Sequence, residues 1–446
     1  MLNTLNDVLN NVDNFIWGMP LIILILFTGI LLTVRLRGLQ IRHLGKALHY
    51  VFHNEDDGEG EVTSFGALCT ALSATIGTGN IVGCATAIVA GGPGALFWMW
   101  LAAFFGMATK YAEGMLAVKY RVIAEDGHTL GGPFYYIEKG MGKNFKWLAK
   151  LFCVFGTMVG LFGIGTFTQV NGITSAVNNF FDPSNVHTIS LFGMNYSISV
   201  VVAGIIVTIC AGLVIIGGIK RISKVSEVIV PFMAVTYIGV CLIIVFTHLP
   251  QVPAAFAEIV QSAFGLKAVA GGAIGAMTVA MQKGIARGIF SNEAGLGSAP
   301  IAAAAAQTNE PVRQGLVSMT GTFIDTIIVC TMTGLAIVMT GAWDMGLEGV
   351  AVTTKAFALG LPFPAKASAF VLMMCLVFFA FTTILGWAYY SERCLEYLVN
   401  GKKFVITAFK WFYILAVFIG PFMTVSAVWT IAEPCSTACV ERRCCI

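Results

Sequence analysis

The sequence predicts an all-α protein that crosses a membrane many times. Of its 446 residues, 57% are hydrophobic and only 11% are charged, whereas about a quarter of the residues in a soluble domain carry a charge. Apolar segments of 18 residues or more recur along the whole chain, and a helix of about 20 residues crosses the roughly 30 Å core of a bilayer. These two observations exclude a soluble globular domain.

The first residues of the chain predict where the first span begins. Residues 1–13 contain no Lys or Arg, so they lack the basic region of a cleavable signal peptide. We expect them to form an extracytoplasmic N-terminus, followed by a retained transmembrane helix over residues 14–34. Residues 35–62 begin with several Arg and Lys and then become acidic, which predicts a cytoplasmic loop.

Ten spans are predicted in all. They cover residues 14–34, 63–90, 93–118, 147–178, 197–217, 225–247, 256–286, 314–340, 366–390 and 406–432. Connections rich in Lys and Arg alternate with connections that have one or none. Because cytoplasmic loops carry the excess of Lys and Arg, the basic connections are predicted to be cytoplasmic and the N-terminus to lie outside.

The span at 63–90 is predicted to break in its middle, where residues 75–80 read TIGTGN. A break at membrane depth frees backbone groups that lipid cannot satisfy, so it persists only where it is buried in protein or lines a cavity. The N-terminus of the following half-helix suits an anion, and the unwound carbonyls before it suit a cation. The alternative is that the small residues only allow close packing of helices.

A second glycine-rich span is predicted at residues 265–288, with Gly271, Gly272 and Gly275 near mid-membrane. It comes five spans after the first break and, in the predicted topology, runs in the opposite direction. Paired weak helices in two halves are typical of transporters built from inverted repeats. This pattern predicts a first five-helix repeat at 63–247 and a second repeat at 248–432, with two unrelated glycine-rich helices as the alternative.

Three motifs carry a resemblance to a known family. They are ATIGTGNIVG at residues 74–83, GGPGALFWMWLAAFFG at 91–106 and ARGIFSNEAGLGSAP at 286–300. With them the chain resembles the prokaryotic alanine or glycine:cation symporters. The resemblance implies the five-plus-five inverted-repeat fold of sodium-coupled amino-acid transporters, with one extra N-terminal helix. It also implies a protein of the inner cell membrane that carries alanine or glycine together with Na⁺, is not an enzyme and needs no cofactor.

The resemblance implies a substrate site at the two breaks. In the first, the backbone near four residues would meet the carboxylate and ammonium of the amino acid: Thr75, Gly77, Thr78 and Gly79. The second would supply carbonyls and one wall of the pocket through Gly272, Ala273 and Gly275.

Three side chains are implied to complete this site. Phe167 would act as a steric lid, with Asn171 as a polar contact one helical turn away on the same face, and Trp387 would crowd the side chain of the substrate. Ordinary packing is the alternative for Phe167.

The resemblance also implies a Na⁺ site made of five neutral oxygens. They are the carbonyls of Ser73, Ile76 and Phe379 and the hydroxyls of Thr382 and Thr383. Alternatively, the two hydroxyls bond back to carbonyls of their own helix, as Ser and Thr do routinely.

Four further polar residues lie within predicted spans. Asn80 would complete the substrate site or a second ion site. An acid within a bilayer is expensive enough to suggest a function, so Asp325 would carry a proton, bind a second cation, or hold neighbouring Thr and backbone groups in a structural network. Lys110 and Glu113 are three residues apart on one helix, a spacing that predicts a local ion pair.

The carboxyl-terminal residues depart from the pattern of the family. Members continue there with another apolar span, whereas residues 433–446 form a tail containing Cys435, Cys439, Cys444 and Cys445. The last repeat helix is therefore predicted to be missing, which leaves four helices in the second repeat.

Sodium-coupled symport is the predicted function, and two alternatives are a proton-coupled amino-acid transporter and a truncated member that does not transport. A channel or an intramembrane enzyme fits less well. The broken helices favour alternating access, and no nucleophile and base are found on facing spans. Lipid is the expected surrounding, and no nucleic-acid partner is expected.

Overall fold

The computed structural model describes residues 19–53, 58–124, 127–191, 194–265 and 272–423, and these residues form a predominantly α-helical protein. The helices up to residue 247 are α1 (Met19–Arg35), α2 (Leu39–Arg42), α3 (Leu44–Phe52), α4 (Ser64–Thr75), α5 (Cys84–Gly91), α6 (Gly94–Lys119), α7 (Pro133–Tyr136), α8 (Lys146–Phe162), α9 (Phe167–Phe181), α10 (Ile198–Ile215) and α11 (Gly218–Thr247). The later helices are α12 (Val252–Ala263), α13 (Ala273–Asn292), α14 (Ala299–Ala303), α15 (Pro311–Thr322), α16 (Thr331–Thr340), α17 (Val350–Gly360), α18 (Ala365–Leu398) and α19 (Lys403–Ile419).

Short elements connect or extend these helices. Turns of π-helix lie at Gly79–Gly83, Ile137–Met141 and Phe323–Cys330, and 3-10 turns lie at Lys143–Phe145, Leu249–Gln251, Ala342–Asp344 and Gly420–Phe422. Two antiparallel hairpins are formed by β1 (Val122–Ile123) with β2 (Thr129–Leu130) and by β3 (Thr188–Leu191) with β4 (Met194–Ser197).

The described residues contain six helical segments that are long and apolar enough to cross a membrane. They are Lys143–Phe181, Ile198–Ile215, Gly218–Thr247, Pro311–Thr340, Ala365–Leu398 and Lys403–Phe422. A bent pair, Ser64–Thr75 with Gly79–Gly91, makes a seventh if it counts as one span. The protein is therefore an all-α polytopic membrane protein, as predicted.

Three of the ten predicted spans have no counterpart among these segments. The predicted spans at 14–34 and 93–118 correspond to α1, of which 17 residues are described, and to the more polar 26-residue α6. The predicted span at 256–286 is wrong as a single helix. It is divided between α12 and α13, and residues 266–271 between them lie outside the described part of the chain.

Two long helices organise the packing. Helix α6 contacts α1, α12, α13, α14 and α15, whereas α18 contacts α4, α8, α9, α11 and α17. Small residues let α6 approach its neighbours closely, as they do in other membrane proteins. At Gly284 of α13, for example, a Cβ atom would lie 2.2 Å from the carbonyl oxygen of Ala95. Helix α4 lies between the two groups, because it contacts both α15 and α18.

The first predicted break is confirmed. Helix α4 ends at Thr75, the chain resumes as a π-helical turn at Gly79, and the two parts of the span are bent by 53°. Gly77 is required inside the break, because a Cβ atom there would lie 2.5 Å from the hydroxyl oxygen of Thr383.

The second glycine-rich span is not one helix, and a further interruption follows it. Helix α13 begins at Ala273 and continues without interruption to Asn292, so Gly272 and Gly275 stand at its start, and Gly271 is outside the described residues. The interruption comes at residues 293–298, between α13 and α14. Gly295 and Gly297 adopt φ values of 89° and 75° there, a conformation that glycine adopts at no steric cost.

A third interruption was not predicted. The predicted span at 147–178 consists of α8 and α9, which are separated by residues 163–166. The carbonyl of Gly165 accepts a hydrogen bond of 3.0 Å from the Tyr413 hydroxyl of α19. A Cβ atom at Gly165 would lie 2.5 Å from the Cβ of Trp387, so this interruption allows α18 to pack closely.

The predicted loop at 35–62 contains helices α2 and α3, and α3 buries Ala47 and Val51 while packing against α15. At the other end of the chain, the predicted span at 406–432 is represented by α19 and the 3-10 turn after it. The Cys-rich tail and the prediction of a missing last helix fall on residues 424–446, which lie outside the described part.

Candidate functional site

A cavity of about 740 Å³ runs along the part of the first broken helix that follows the break. The helix contributes Thr78, Gly79 and Thr86 to its wall, and α9 contributes Gln169 and Asn171. Helix α13 lines the opposite side with Arg287 and Phe290. The start of an interrupted helix thus faces a space large enough for a small organic molecule, since ligand cavities measure roughly 300–1,000 Å³.

Polar groups of α9 meet the first break. The backbone N–H of Thr78 approaches the side-chain oxygen Oε1 of Gln169 at 3.5 Å, and the side-chain amide of Asn171 donates to the Met423 backbone carbonyl at 3.3 Å. Gln169 was not among the predicted site residues. Its signal in the sequence is the polar run TFTQVNG within an apolar span, since a buried amide needs partners.

Asn80 connects the first break to the mid-membrane acid. Its side-chain oxygen accepts the backbone N–H of Gly77 at 2.9 Å, and its amide donates to Asp325 Oδ1 at 2.7 Å. The other carboxylate oxygen of Asp325 accepts the hydroxyls of Ser291 at 2.9 Å and Thr326 at 2.8 Å. Asp325 is fully buried, and this network includes the neighbouring Thr that the sequence suggested as a partner.

Oxygen atoms gather behind the first break, where α4 meets α18. The Thr383 hydroxyl lies 3.4 Å from the Ile76 carbonyl and 3.0 Å from the Phe379 carbonyl. The Thr382 hydroxyl lies 3.0 Å from the same Phe379 carbonyl and 3.1 Å from that of Phe378. The structure therefore brings the predicted cation ligands of the two helices together, and both hydroxyls also bond back to their own helix.

Ser73 stands in the last turn of α4, one turn before Ile76. It is fully buried, and its hydroxyl donates to the Thr70 carbonyl at 2.7 Å. Its side chain thus serves its own helix, and its backbone carbonyl remains the predicted ligand.

Several predicted substrate residues do not line the large cavity. Phe167 packs against Ala416 of α19, and Trp387 stacks edge-on against Tyr390 with ring centroids 5.6 Å apart. Thr75 lines a separate small cavity. Gly272, Ala273 and Gly275 stand at the start of α13, where Gly272 and Gly275 are exposed, and their place in the substrate site stays a prediction. Of the predicted substrate residues, Thr78, Gly79 and Asn171 line the large cavity.

The start of the first broken helix and the end of the second are tied together. The Arg121 guanidinium donates to four backbone carbonyls at 2.6–2.9 Å, and we call this arrangement the Arg121 clamp: Glu59, Ala304, Ala306 and Thr308. Backbone bonds run beside it, from the Glu61 N–H to the Ala305 carbonyl at 2.9 Å and from the Gln307 N–H to the Val62 carbonyl at 2.7 Å. The clamp therefore joins the chain before α4 to the chain after α14.

A polar cluster extends the clamp to α18. Glu61 lies 3.0 Å from His128 of the β1–β2 hairpin, and His128 lies 3.5 Å from Glu396 of α18. Burial of Glu61 opposes its ionisation, but the contact with His128 and the N–H of Thr129 hold the pKa of this carboxyl below its usual value. The cluster therefore connects the clamp to α18 and to the helices that α18 contacts.

Comparison with known proteins places this architecture in a family. The model of the sodium:alanine symporter family matches residues 2–440. An uncharacterized transporter of Haemophilus influenzae is 55% identical over 432 residues, which are 96% of this chain and 90% of that protein. The sodium/alanine symporter AgcS of Methanococcus maripaludis is 44% identical over 435 residues, 96% of this chain and 90% of that protein.

A third relative, the probable sodium/glutamine symporter GlnT of Bacillus subtilis, is 37% identical over 436 residues, covering 97% of this chain and 86% of that protein. These proteins are transporters, not enzymes, and sodium coupling involves no cofactor. The resemblance carried by the three motifs is thus confirmed, and the chain belongs to the sodium:alanine symporter family.

Proposed function

We propose that this protein imports alanine and glycine together with Na⁺ across the inner cell membrane by alternating access. The observation that carries the proposal is the first break, which presents backbone groups to the large cavity on one side and the carbonyl of Ile76 to the Thr383 hydroxyl on the other. One interrupted helix can therefore contact an amino acid and its coupling cation at the same time. AgcS, which bears the name of a sodium/alanine symporter, supports this choice of substrate and ion.

The proposal includes the five-plus-five inverted repeat. Two interrupted helices support it, α4–α5 with its break after Thr75 and α13–α14 with its break after Asn292. In the predicted topology they run in opposite directions, and each opens one set of spans. The first set continues with α6, α8–α9, α10 and α11, and the second continues with α15–α16, α18 and α19.

The arrangement of the two ends of the site supports an outward-facing conformation. The large cavity extends from Thr78 along α5 to Ala90, on the side predicted to be extracytoplasmic. On the other side, the Arg121 clamp ties the inner ends of the broken helices together. Import then requires the clamp to open while the outer cavity closes around the substrate.

Transport into proteoliposomes tests this function directly. With an inward Na⁺ gradient, labelled alanine should accumulate above its external concentration. One inward charge contributes about 2.3 kcal/mol per 100 mV, or roughly 50-fold accumulation at about 1.4 kcal/mol per decade. Accumulation driven by a pH gradient without Na⁺ would indicate proton coupling. Equilibration without accumulation would indicate a channel, and absence of any flux a protein that does not transport.

The oxygens behind the first break predict a specific effect on Na⁺. Thr383→Val replaces a hydroxyl that lies between the carbonyls of Ile76 and Phe379 with a methyl group of similar size. Since a hydrogen bond or ligand to a charged group contributes about 1.5–3 kcal/mol, we expect the Na⁺ concentration for half-maximal uptake to rise about tenfold or more.

The matched control is Thr208→Val, because the Thr208 hydroxyl bonds only its own helix at the Gly204 carbonyl, 2.7 Å away, among the described contacts. This variant should keep the Na⁺ dependence of the wild type. Equal Na⁺ dependence in both variants would remove Thr383 from the ion site.

The wall of the large cavity predicts which side chain limits substrate size. Phe290 lines this cavity and lies near the first break, 3.8 Å from where a Cβ atom of Gly79 would stand. Phe290→Ala should let larger neutral amino acids compete with alanine. One methylene in an apolar pocket changes discrimination by about 10–200-fold, so leucine should inhibit alanine uptake at a concentration at least about tenfold lower.

Phe167→Ala is the matched control, because Phe167 packs against α19 outside this cavity. It should leave competition by leucine unchanged. If Phe167→Ala admits leucine and Phe290→Ala does not, the substrate lies at the position first predicted from the sequence.

A further inference from the structure

A group of four charged side chains is buried between α6, α13 and α15, apart from the substrate cavity. They are at most 8% exposed: Lys110, Glu113, Glu293 and Asp325. The predicted pairing of Lys110 with Glu113 is an electrostatic interaction without a hydrogen bond, since the Lys110 ammonium and Glu113 Oε2 each lack a hydrogen-bond partner in the described residues. Lys110 also interacts electrostatically with the carboxyl groups of Glu293 and Asp325.

Glu113 holds the second break. Its Oε1 atom accepts the backbone N–H of Gly295 at 3.1 Å and that of Gly297 at 3.2 Å. These two glycines have the positive φ angles of the interruption between α13 and α14. One carboxyl oxygen of α6 therefore satisfies two N–H groups that the break leaves without a helical partner.

The charges of the group do not balance. With one ammonium and three carboxylates, full ionisation would leave a net charge of −2 in the interior, and a buried charge is expensive unless it is paired and hydrogen-bonded. Asp325 receives three side-chain donors on its two oxygens, and Glu293 receives the Ser298 hydroxyl. Glu113 accepts two backbone N–H groups, both on Oε1, and its Oε2 is buried without a donor, so a proton bound at Oε2 displaces no hydrogen-bond donor.

A buried hydroxyl interacts with Glu113, and a small cavity lies beside Lys110, three residues away on α6. Tyr390 of α18 interacts electrostatically with Glu113 and Glu293, and its buried hydroxyl has no partner among the described residues. A small cavity of about 20 Å³ is lined by Lys110 and Gln314, and the Gln314 side-chain oxygen is a buried acceptor without a donor. A cavity of this size holds about one water molecule, which needs polar partners such as these.

We propose that Glu113 is a proton-binding site that controls the second break. Bound at Oε2, the proton leaves Oε1 as a neutral acceptor for the two glycine N–H groups. Its release to water leaves a carboxylate, and a charged acceptor forms hydrogen bonds roughly twice as strong. Protonation thus loosens the break and deprotonation tightens it. By linkage, a ligand that binds more tightly to one form of the break changes the proton affinity of Glu113. The proton changes the affinity for that ligand by the same factor.

Infrared difference spectroscopy on the purified full-length protein tests the proton site without requiring transport. At neutral pH the wild type should show a protonated-carboxyl C=O band that disappears on alkaline titration. Glu113→Gln should lack this band, whereas Glu293→Gln and the loop variant Glu138→Gln should keep it. No titrating band in the wild type, or an undiminished band in Glu113→Gln, would overturn the proposal.

Glu113→Asp provides a second variant if Glu113→Gln does not fold, because it keeps a titratable carboxyl and shortens the side chain. The band should then shift in frequency; an unshifted band would assign the proton to another residue. The link between this proton and uptake rests on the proposed function, whereas the infrared band does not. Uptake of alanine by Glu113→Gln should lose the pH dependence of the wild type, and an unchanged pH profile would contradict the link alone.

Discussion

Replacing Asp325 with alanine is expected to abolish alanine uptake and to destabilise the protein. The carboxylate accepts three hydrogen bonds from Asn80, Ser291 and Thr326, all in the buried interior. Its removal takes the carboxylate acceptor from all three donors, although Asn80 keeps weaker contacts with Ser291 and the Asp325 backbone carbonyl, and the loss of one partner in a buried charged network costs about 3–5 kcal/mol. Asn80 also accepts the Gly77 N–H, so the first break loses its support. Uptake should fall at least about 100-fold, because a cost of about 3 kcal/mol corresponds to about two decades at about 1.4 kcal/mol per decade.

The measurement combines uptake in proteoliposomes with a thermal unfolding curve in detergent. Asp325→Asn keeps the size of the side chain and one acceptor oxygen, so it should unfold at a temperature between those of the wild type and Asp325→Ala. Asp344→Ala changes an exposed acid and should match the wild type in both assays. Wild-type uptake by Asp325→Ala would show that the first break does not depend on this network.

Replacing Arg121 with alanine is expected to shift the protein towards an inward-facing conformation. The side chain donates to four backbone carbonyls that belong to the chain segments before α4 and after α14. A hydrogen bond from a charged donor contributes about 1.5–3 kcal/mol, so the loss of four exceeds the few kcal/mol that separate the conformations of many proteins. Uptake should fall because the outward-facing state becomes rare.

Two native cysteines report this shift. Cys69 is buried in the first half of α4, which is predicted to lie towards the cytoplasm, whereas Cys210 is exposed on α10. In inside-out vesicles, a thiol reagent that cannot cross the membrane should label Cys69 at least about tenfold faster in Arg121→Ala than in the wild type, since 1.4 kcal/mol is tenfold in an equilibrium. Labelling of Cys210 should not change. Arg221→Ala is the matched control, because Arg221 is exposed and donates to Leu213 alone among the described residues.

If Cys69 labelling is unchanged while uptake is lost, the Arg121 clamp supports folding and does not hold the inner side closed. If both are unchanged, the backbone bonds beside the clamp suffice to hold it, such as that from the Glu61 N–H to the Ala305 carbonyl.

Local sequence predicts the first break well and the second badly, for a physical reason. At residues 75–80 the polar and small side chains that allow the break also form it, and Asn80 accepts the Gly77 N–H within the same segment. At the second break the main support is Glu113, which is 182 residues from Gly295 along the chain. Gly272 and Gly275 looked equivalent in the sequence and stand at the start of α13, and Gly271 lies outside the described residues.

Long-range contacts also explain what the sequence could not give for the site. Asp325 was identified as a mid-membrane acid from its position, but its contact with Asn80 joins residues 245 apart. The pairing of Thr383 with Ile76 followed from the resemblance and not from any local pattern, because 307 residues separate them. The interruption at residues 163–166 does not follow from local sequence, because the close packing of Gly165 depends on Trp387 and Tyr413 from other helices. Gln169, a few residues later, was also not among the predicted site residues.

The single hydroxyl of Thr383 has a consequence for how α4 and α18 meet. It has one hydrogen but approaches two carbonyls, those of Ile76 and Phe379, so it can donate fully to only one of them at a time. A cation at this place would contact both carbonyls at once, and its binding would therefore join α4 to α18 more firmly than the hydroxyl does alone.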